Sequence, residues 1–148
     1  MNRNNPDTPS DTRNIRTLLY ESLPLLLVED DPLQQERLEL VLSQAKFDVI
    51  AVPSVREARA AMDALVFPVV IVDRKLEDGD GIELIGELRK KYAQHRVYLM
   101  LLSALDSDEE RRKGVEVGAD NYLSKKTSDT ELLEHLKAAR ETVRMRSR

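Results

Sequence analysis

Three short runs in this chain have no polar face: LLLV at 25–28, VVIV at 69–72 and VYLMLL at 97–102. Uniformly apolar runs of this length suit strands covered on both sides, since a strand with one wet face alternates. Longer segments with helical spacing lie between them. Leu38, Val41, Leu42 and Ala45 make one apolar stripe, Val55, Ala58, Met62 and Leu65 a second, and Leu132, Leu136, Ala139 and Val143 a last one. Asp48–Val52 and Asn121–Leu123 read as two further short strands. Helix starts are marked by Asp31 before Pro32, and by capping boxes at Ser54/Glu57 and Ser128/Glu131. Ser107 and Glu110 open a helix that stops at Gly118, and a Gly-Asp-Gly turn at 79–81 leads into a helix over 82–91. The sum is five βα units. They predict an α/β fold: a flavodoxin-like, doubly wound parallel sheet with helices on both faces and strand order 2-1-3-4-5. Function in such a sheet belongs at the carboxyl ends of the strands, at the switch point.

Composition narrows the function. At 148 residues the chain is one domain, long enough to bury a core without staples. Cysteine is absent, which removes disulfides, thiolate metal sites and cysteine nucleophiles. With 23 Lys+Arg against 27 Asp+Glu, the mildly acidic balance argues against a direct nucleic-acid footprint. No apolar run approaches a membrane span, and MNRNNPDTPSDTRN has no apolar stretch of a secretory signal. Residues 1–14 read as a disordered tail, and Ile15–Leu23 as a short helix or an extended lead-in.

The strand ends gather charge. Glu29, Asp30 and Asp31 follow the first strand, Asp73 the third, Ser103 the fourth and Lys125 the fifth. Two like charges 4 Å apart cost about 4 kcal/mol at an effective dielectric near 20. A lysine offsets part of that, and a hard divalent cation more. All-oxygen ligands favour Mg²⁺, and the lack of Cys or His disfavours Zn²⁺. A carboxylate beside Mg²⁺ and a lysine can itself attack phosphorus.

LLLVEDD at 25–31, VVIVDRKLEDGDG at 69–81, MLLSA at 100–104 and GADNYLSK at 118–125 together resemble the receiver domain of two-component response regulators. The resemblance implies a domain over 23–148 with an extended last helix, preceded by a flexible tail over 1–22. It implies that Glu29, Asp30, Asp73 and the backbone carbonyl of Lys75 hold Mg²⁺, with Asp31 a nearby third acid. Asp73 would be the phosphoacceptor, Ser103 the hydroxyl that grips the phosphoryl group, Ala104 the small residue at the access route, and Lys125 its cationic partner. Tyr122 would be the aromatic switch that moves with Ser103. A sensor histidine kinase or phosphotransfer protein would be the donor. The surface of the fourth helix, fifth strand and fifth helix would address an effector domain, an effector protein or a second copy, in the cytoplasm. The only catalysis implied is aspartyl phosphorylation and dephosphorylation by the domain itself.

Two positions depart from the family. Lys126 stands where Pro usually follows the lysine; a cis bond before a non-proline costs about 2.5–4 kcal/mol, so a trans bond and a reshaped turn are expected. Glu77 replaces a common Pro after the acceptor, which predicts a looser loop. The Lys75 side chain, beside Asp73, is expected to alter the phosphoryl lifetime. Competing readings are a non-phosphorylated pseudo-receiver acting as an interaction module, an FMN binder of the same fold, and a haloacid-dehalogenase-type phosphatase. The second wants a Gly/Ser/Thr-rich first loop, and the third an Asp-x-Asp after the first strand. Asp31 is equally well a helix cap, Tyr122 plain packing, and His95 and His135 surface residues.

Overall fold

The structure is a computed structural model that describes residues 22–94 and 96–146. Five strands lie parallel: β1 Leu23–Val28, β2 Phe47–Val52, β3 Val69–Asp73, β4 Tyr98–Ser103 and β5 Asn121–Ser124. Their order is β2-β1-β3-β4-β5, as the alternation predicts, with the reversal between β1 and β3. Five helices connect them: α1 Pro32–Gln44, α2 Val55–Ala64, α3 Gly81–Lys91, α4 Asp108–Val117 and α5 Asp129–Arg146. A two-rung antiparallel ladder joins Lys75–Leu76 to Gly79–Asp80 between β3 and α3.

The apolar runs divide by parity, because successive side chains on a strand face opposite ways. Leu26, Val28, Val70, Val72, Leu99 and Leu101 pack under Met62 of α2 and Ile85 and Leu88 of α3. Leu25, Leu27, Val69, Ile71, Met100 and Leu102 pack under Leu38 and Leu42 of α1 and Leu136 and Ala139 of α5. At about 1.5–3 kcal/mol per fully buried aliphatic side chain, these two layers supply most of the driving force.

Short polar side chains start each helix. Asp31, Ser54, Asp80, Ser107 and Ser128 accept from Leu33 N, Glu57 N, Ile82 N, Glu110 N and Glu131 N. Leu65 departs from expectation. It lies beyond α2 in extended backbone and is exposed, while Phe67 takes the core position instead. Pro68 disfavours helical backbone in the residue before it, so the helix ends early and the chain reaches the core two residues later. His135 is half-buried, with Nδ1 3.2 Å from Asn121 Nδ2, rather than a plain surface residue. His95 and the tail at residues 1–21 lie outside the described residues.

The far end of α5 is moored at the amino edge of the sheet. Arg146 donates to Asp120 Oδ1 at 2.9 Å and stacks over Tyr98 at 5.7 Å. Arg89 of α3 donates to Asp120 Oδ2 at 2.7 Å, and Leu99 N at 2.8 Å. No helix among the described residues is long and apolar enough to cross a membrane.

Candidate functional site

Hydrogen bonds between neighbouring strand ends bring the charged residues together. Glu29 N donates to Val52 O at 3.0 Å, Arg74 N to Leu102 O at 2.8 Å and Lys125 N to Ser103 O at 2.8 Å. Helix α3 begins directly against the β3 end: Gly81 N donates to Arg74 O at 2.7 Å. A Cβ at Gly81 would lie 2.2 Å from the Asp73 carbonyl oxygen, so only glycine permits that approach.

Asp73 is buried, and its Oδ2 accepts from Lys125 Nζ at 2.9 Å. Lys125 Nζ also stands 3.3 Å from Glu29 Oε1. That second pair lacks hydrogen-bond alignment, which leaves Glu29 Oε1 a buried oxygen with no hydrogen-bond partner. Oε2 of the same carboxylate accepts from Asp31 N at 3.2 Å. Burial pushes the Glu29 carboxyl up to about 7, with the Asp73 charge adding to it and the Asp31 amide and Lys125 opposing. For Lys125, burial acts downward. The Asp73 hydrogen bond and the charges of Asp73 and Glu29 outweigh it and hold the ammonium above its ordinary range.

Glu29, Asp30 and Asp73 each bring a carboxylate oxygen within 4.8 Å of the others. The donors are all hard oxygens, and the buried Glu29 Oε1 has the Lys125 ammonium nearby but no hydrogen bond of its own. This set fits a hard divalent cation of the Mg²⁺ kind. Asp31 is exposed and serves as the α1 cap, one of its two sequence readings, while its amide steadies Glu29.

The loop after Asp73 is tied down rather than loose. Glu77 N donates to Asp30 Oδ2 at 3.1 Å, a bond that a proline there would forfeit. Asp78 accepts from Val55 N at 2.9 Å and Arg56 N at 3.1 Å, capping α2 from outside, and these bonds lower its pKa. The turn after Lys125 likewise has its own solution. Its peptide bonds are trans, Lys126 N donates to Ser124 Oγ at 3.0 Å and Thr127 N to Ser124 O at 3.0 Å. Lys125 reaches the acids without the missing proline.

Ser103 and Tyr122 meet on one residue. Leu105 N donates to the buried Ser103 Oγ at 2.9 Å, and Tyr122 Oη donates to Leu105 O at 2.6 Å. The Tyr122 ring is buried against Gly114 of α4, where a Cβ would fall 2.9 Å from Cδ2. Asp73, Ser103, Lys125, Arg74, Lys75, Ala104 and Leu105 line one cavity of about 300 Å³. Of these features, the sequence reading missed Ser124, the Glu77 amide, Leu105 and Gly114. Gly114 within a helical stretch was the one available signal.

Comparison with known proteins agrees with this geometry. The family model "Response regulator receiver domain" matches residues 25–137. The transcriptional regulatory protein PmrA of Pectobacterium parmentieri is 39% identical over 116 residues, 78% of this chain and 51% of that protein. GltR of Pseudomonas aeruginosa is 36% identical over 77% of this chain and 47% of its own length. The chain thus spans about half the length of the curated relatives it matches. The BeF3-activated receiver domain of Klebsiella pneumoniae RstA superposes with a TM-score of 0.73 at 28% identity, covering 79% of this chain and 97% of that one. With its sheet order, its acidic crevice and a match over most of its length, the chain belongs to the response regulator receiver domains of two-component systems.

Proposed function

We propose that this receiver accepts a phosphoryl group on Asp73. The carrying observation is a buried Asp73 carboxylate, 2.9 Å from Lys125, inside an oxygen-only acid cluster that holds a buried Glu29 oxygen with no hydrogen bond. Glu29, Asp30, Asp73 and the Lys75 carbonyl would hold Mg²⁺. Bound there, the ion supplies the positive charge that lets carboxylates and phosphoryl oxygens share one site.

The protein residues do the rest. An Asp73 oxygen bonds to phosphorus as the bond to the donor breaks, either P–N of a phosphohistidine or P–O of an acyl phosphate, and the leaving group takes the electron pair. Lys125 transfers its pairing from Asp73 to a phosphoryl oxygen. Ser103 Oγ turns to another, giving up Leu105 N. Tyr122 is held to the same Leu105 through its carbonyl, so the change is felt at the face of α4, β5 and α5. Couplings of this kind are about 1–3 kcal/mol, a shift of population between two surfaces. A histidine kinase or phosphotransfer protein is the donor. An effector protein, an output domain or a second copy reads the surface, in the cytoplasm.

The pseudo-receiver reading drew its support from Lys126, and the reach of Lys125 removes that support. Acetyl phosphate with Mg²⁺ is expected to label the wild type once per chain, with no label on Asp73→Asn. Equal labelling of both, or of neither, rejects the proposal.

A further inference from the structure

Helix α4 is held to the body differently from every other helix. α1, α2 and α5 bury three or four residues and α3 five, whereas α4 buries Gly114 alone. Val115 on the same helix is 59% exposed. Val117 packs half-buried against the core and Gly114 lies on the Tyr122 ring, but with so small an apolar face α4 leans on polar ties. One is Arg111, whose Nη1 donates to Tyr122 O at 3.1 Å while the guanidinium lies 5.6 Å over the Tyr122 ring. The other comes from the residue next to the acceptor. Arg74 Nη1 donates to Glu110 Oε1 at 2.9 Å, and Arg74 Nε to Asp80 Oδ1 at 3.0 Å. This pair is well shielded, with the Arg74 and Glu110 side chains 15% and 16% exposed. Its backbone is fixed by β4 and α3 on either side, so Arg74 is a rigid post carrying a charged arm. It also lines the cavity that contains Asp73 and Ser103.

We propose that Arg74 and Glu110 form a latch that keeps α4 seated in the unphosphorylated protein, and that a phosphoryl group on Asp73 opens it. A phosphoryl group carries close to two negative charges and strong acceptor oxygens, which compete with a carboxylate for a guanidinium. Drawn toward Asp73, Arg74 lets go of Glu110, and α4 keeps the Arg111 tie and its small apolar contact through Gly114 and Val117. This route reaches α4 from the acceptor strand itself, separate from Ser103 and Tyr122. The opening step rests on the phosphorylation of Asp73 proposed above; the closed latch does not.

Amide hydrogen exchange over 108–117 reads the latch directly. In unphosphorylated protein, Glu110→Ala and Arg74→Leu are each expected to speed exchange in α4 roughly three- to tenfold, and the double variant no further. Glu110 also stands in the acidic first turn of α4, so Arg74→Leu, which leaves every residue of the helix in place, is the variant that separates a lost tie from a weakened helix. Lys113→Ala, which breaks only the 3.3 Å Glu110–Lys113 pair, is expected to leave α4 near wild type. Slow exchange in both latch variants, or additive effects in the double, overturns the latch. Acetyl phosphate with Mg²⁺ is then expected to speed α4 exchange several-fold more in the wild type than in Glu110→Ala, where only the Ser103–Tyr122 route remains. Labelled wild-type protein with unchanged α4 exchange overturns the opening step. A protein that takes up no label overturns the phosphorylation reading and the opening step with it, while the unphosphorylated variants still decide the latch.

Discussion

Lys125 serves two carboxylates with one ammonium, and Glu29 receives the poorer share. Its carboxyl holds a proton up to about 7 in the folded chain, against an ordinary value of 4.5. A carboxyl whose folded pKa is raised favours the fold while protonated. That contribution is complete below about pH 4.5 and is lost as pH rises through about 7. Metal-free protein is therefore expected to be less stable at about pH 8 than at about pH 6, by on the order of 1 kcal/mol from this group. Urea denaturation in chelator, compared with Glu29→Gln, measures it; identical slopes in the two proteins count against the assignment. Magnesium should reverse the trend, because it binds the deprotonated form. Lys75 is exposed and lines the Asp73 cavity, where a long side chain would hinder water on its way to a phosphoryl group on Asp73. Lys75→Ala is expected to shorten the phosphoryl lifetime, and an unchanged dephosphorylation rate dismisses that role.

Among the elements, α4 offers a test with an unusual sign. Replacing a mid-helix glycine by alanine ordinarily stabilises by about 1 kcal/mol. At Gly114 the new methyl would meet the buried Tyr122 ring at 2.9 Å. Overpacking of this kind costs about 1–3 kcal/mol, so Gly114→Ala is expected to lower stability and to push Tyr122 outward. A higher melting temperature, with Tyr122 fluorescence unchanged, would contradict the packing described here. The elements themselves were legible from the chain. Apolar runs ending in Asp73, Ser103 and the Glu29–Asp30 pair gave the strands and the rim of the site together. What stayed hidden were contacts between elements distant in sequence: the Glu77 amide on Asp30, Asp78 capping α2, and Arg74 reaching Glu110. Each is a surface polar residue by type, and its partner is set only once the sheet has brought two loops side by side. Ser124 was hidden for a different reason, since a hydroxyl that satisfies the amide of Lys126 matters only where proline is absent.

At the scale of the whole molecule, Asp120 joins three parts: α3 through Arg89, α5 through Arg146 and β4 through Leu99 N. Its side chain is 4% exposed, so Asp120→Ala leaves two arginines short of a partner and is expected to cost about 3 kcal/mol. Chemical denaturation reads the loss, and protease sensitivity near Arg146 reads the unmooring of α5. This mooring also fixes where the two ends of α5 lie. Helix α5 starts beside the acidic rim and finishes, about 27 Å away at 1.5 Å per residue, on the opposite rim. On the proposal that Asp73 accepts a phosphoryl group, a bulky donor would blanket the acidic pole and leave the distal turns of α5, part of the α4, β5 and α5 face, open to a listener, so arrival and readout need not take turns.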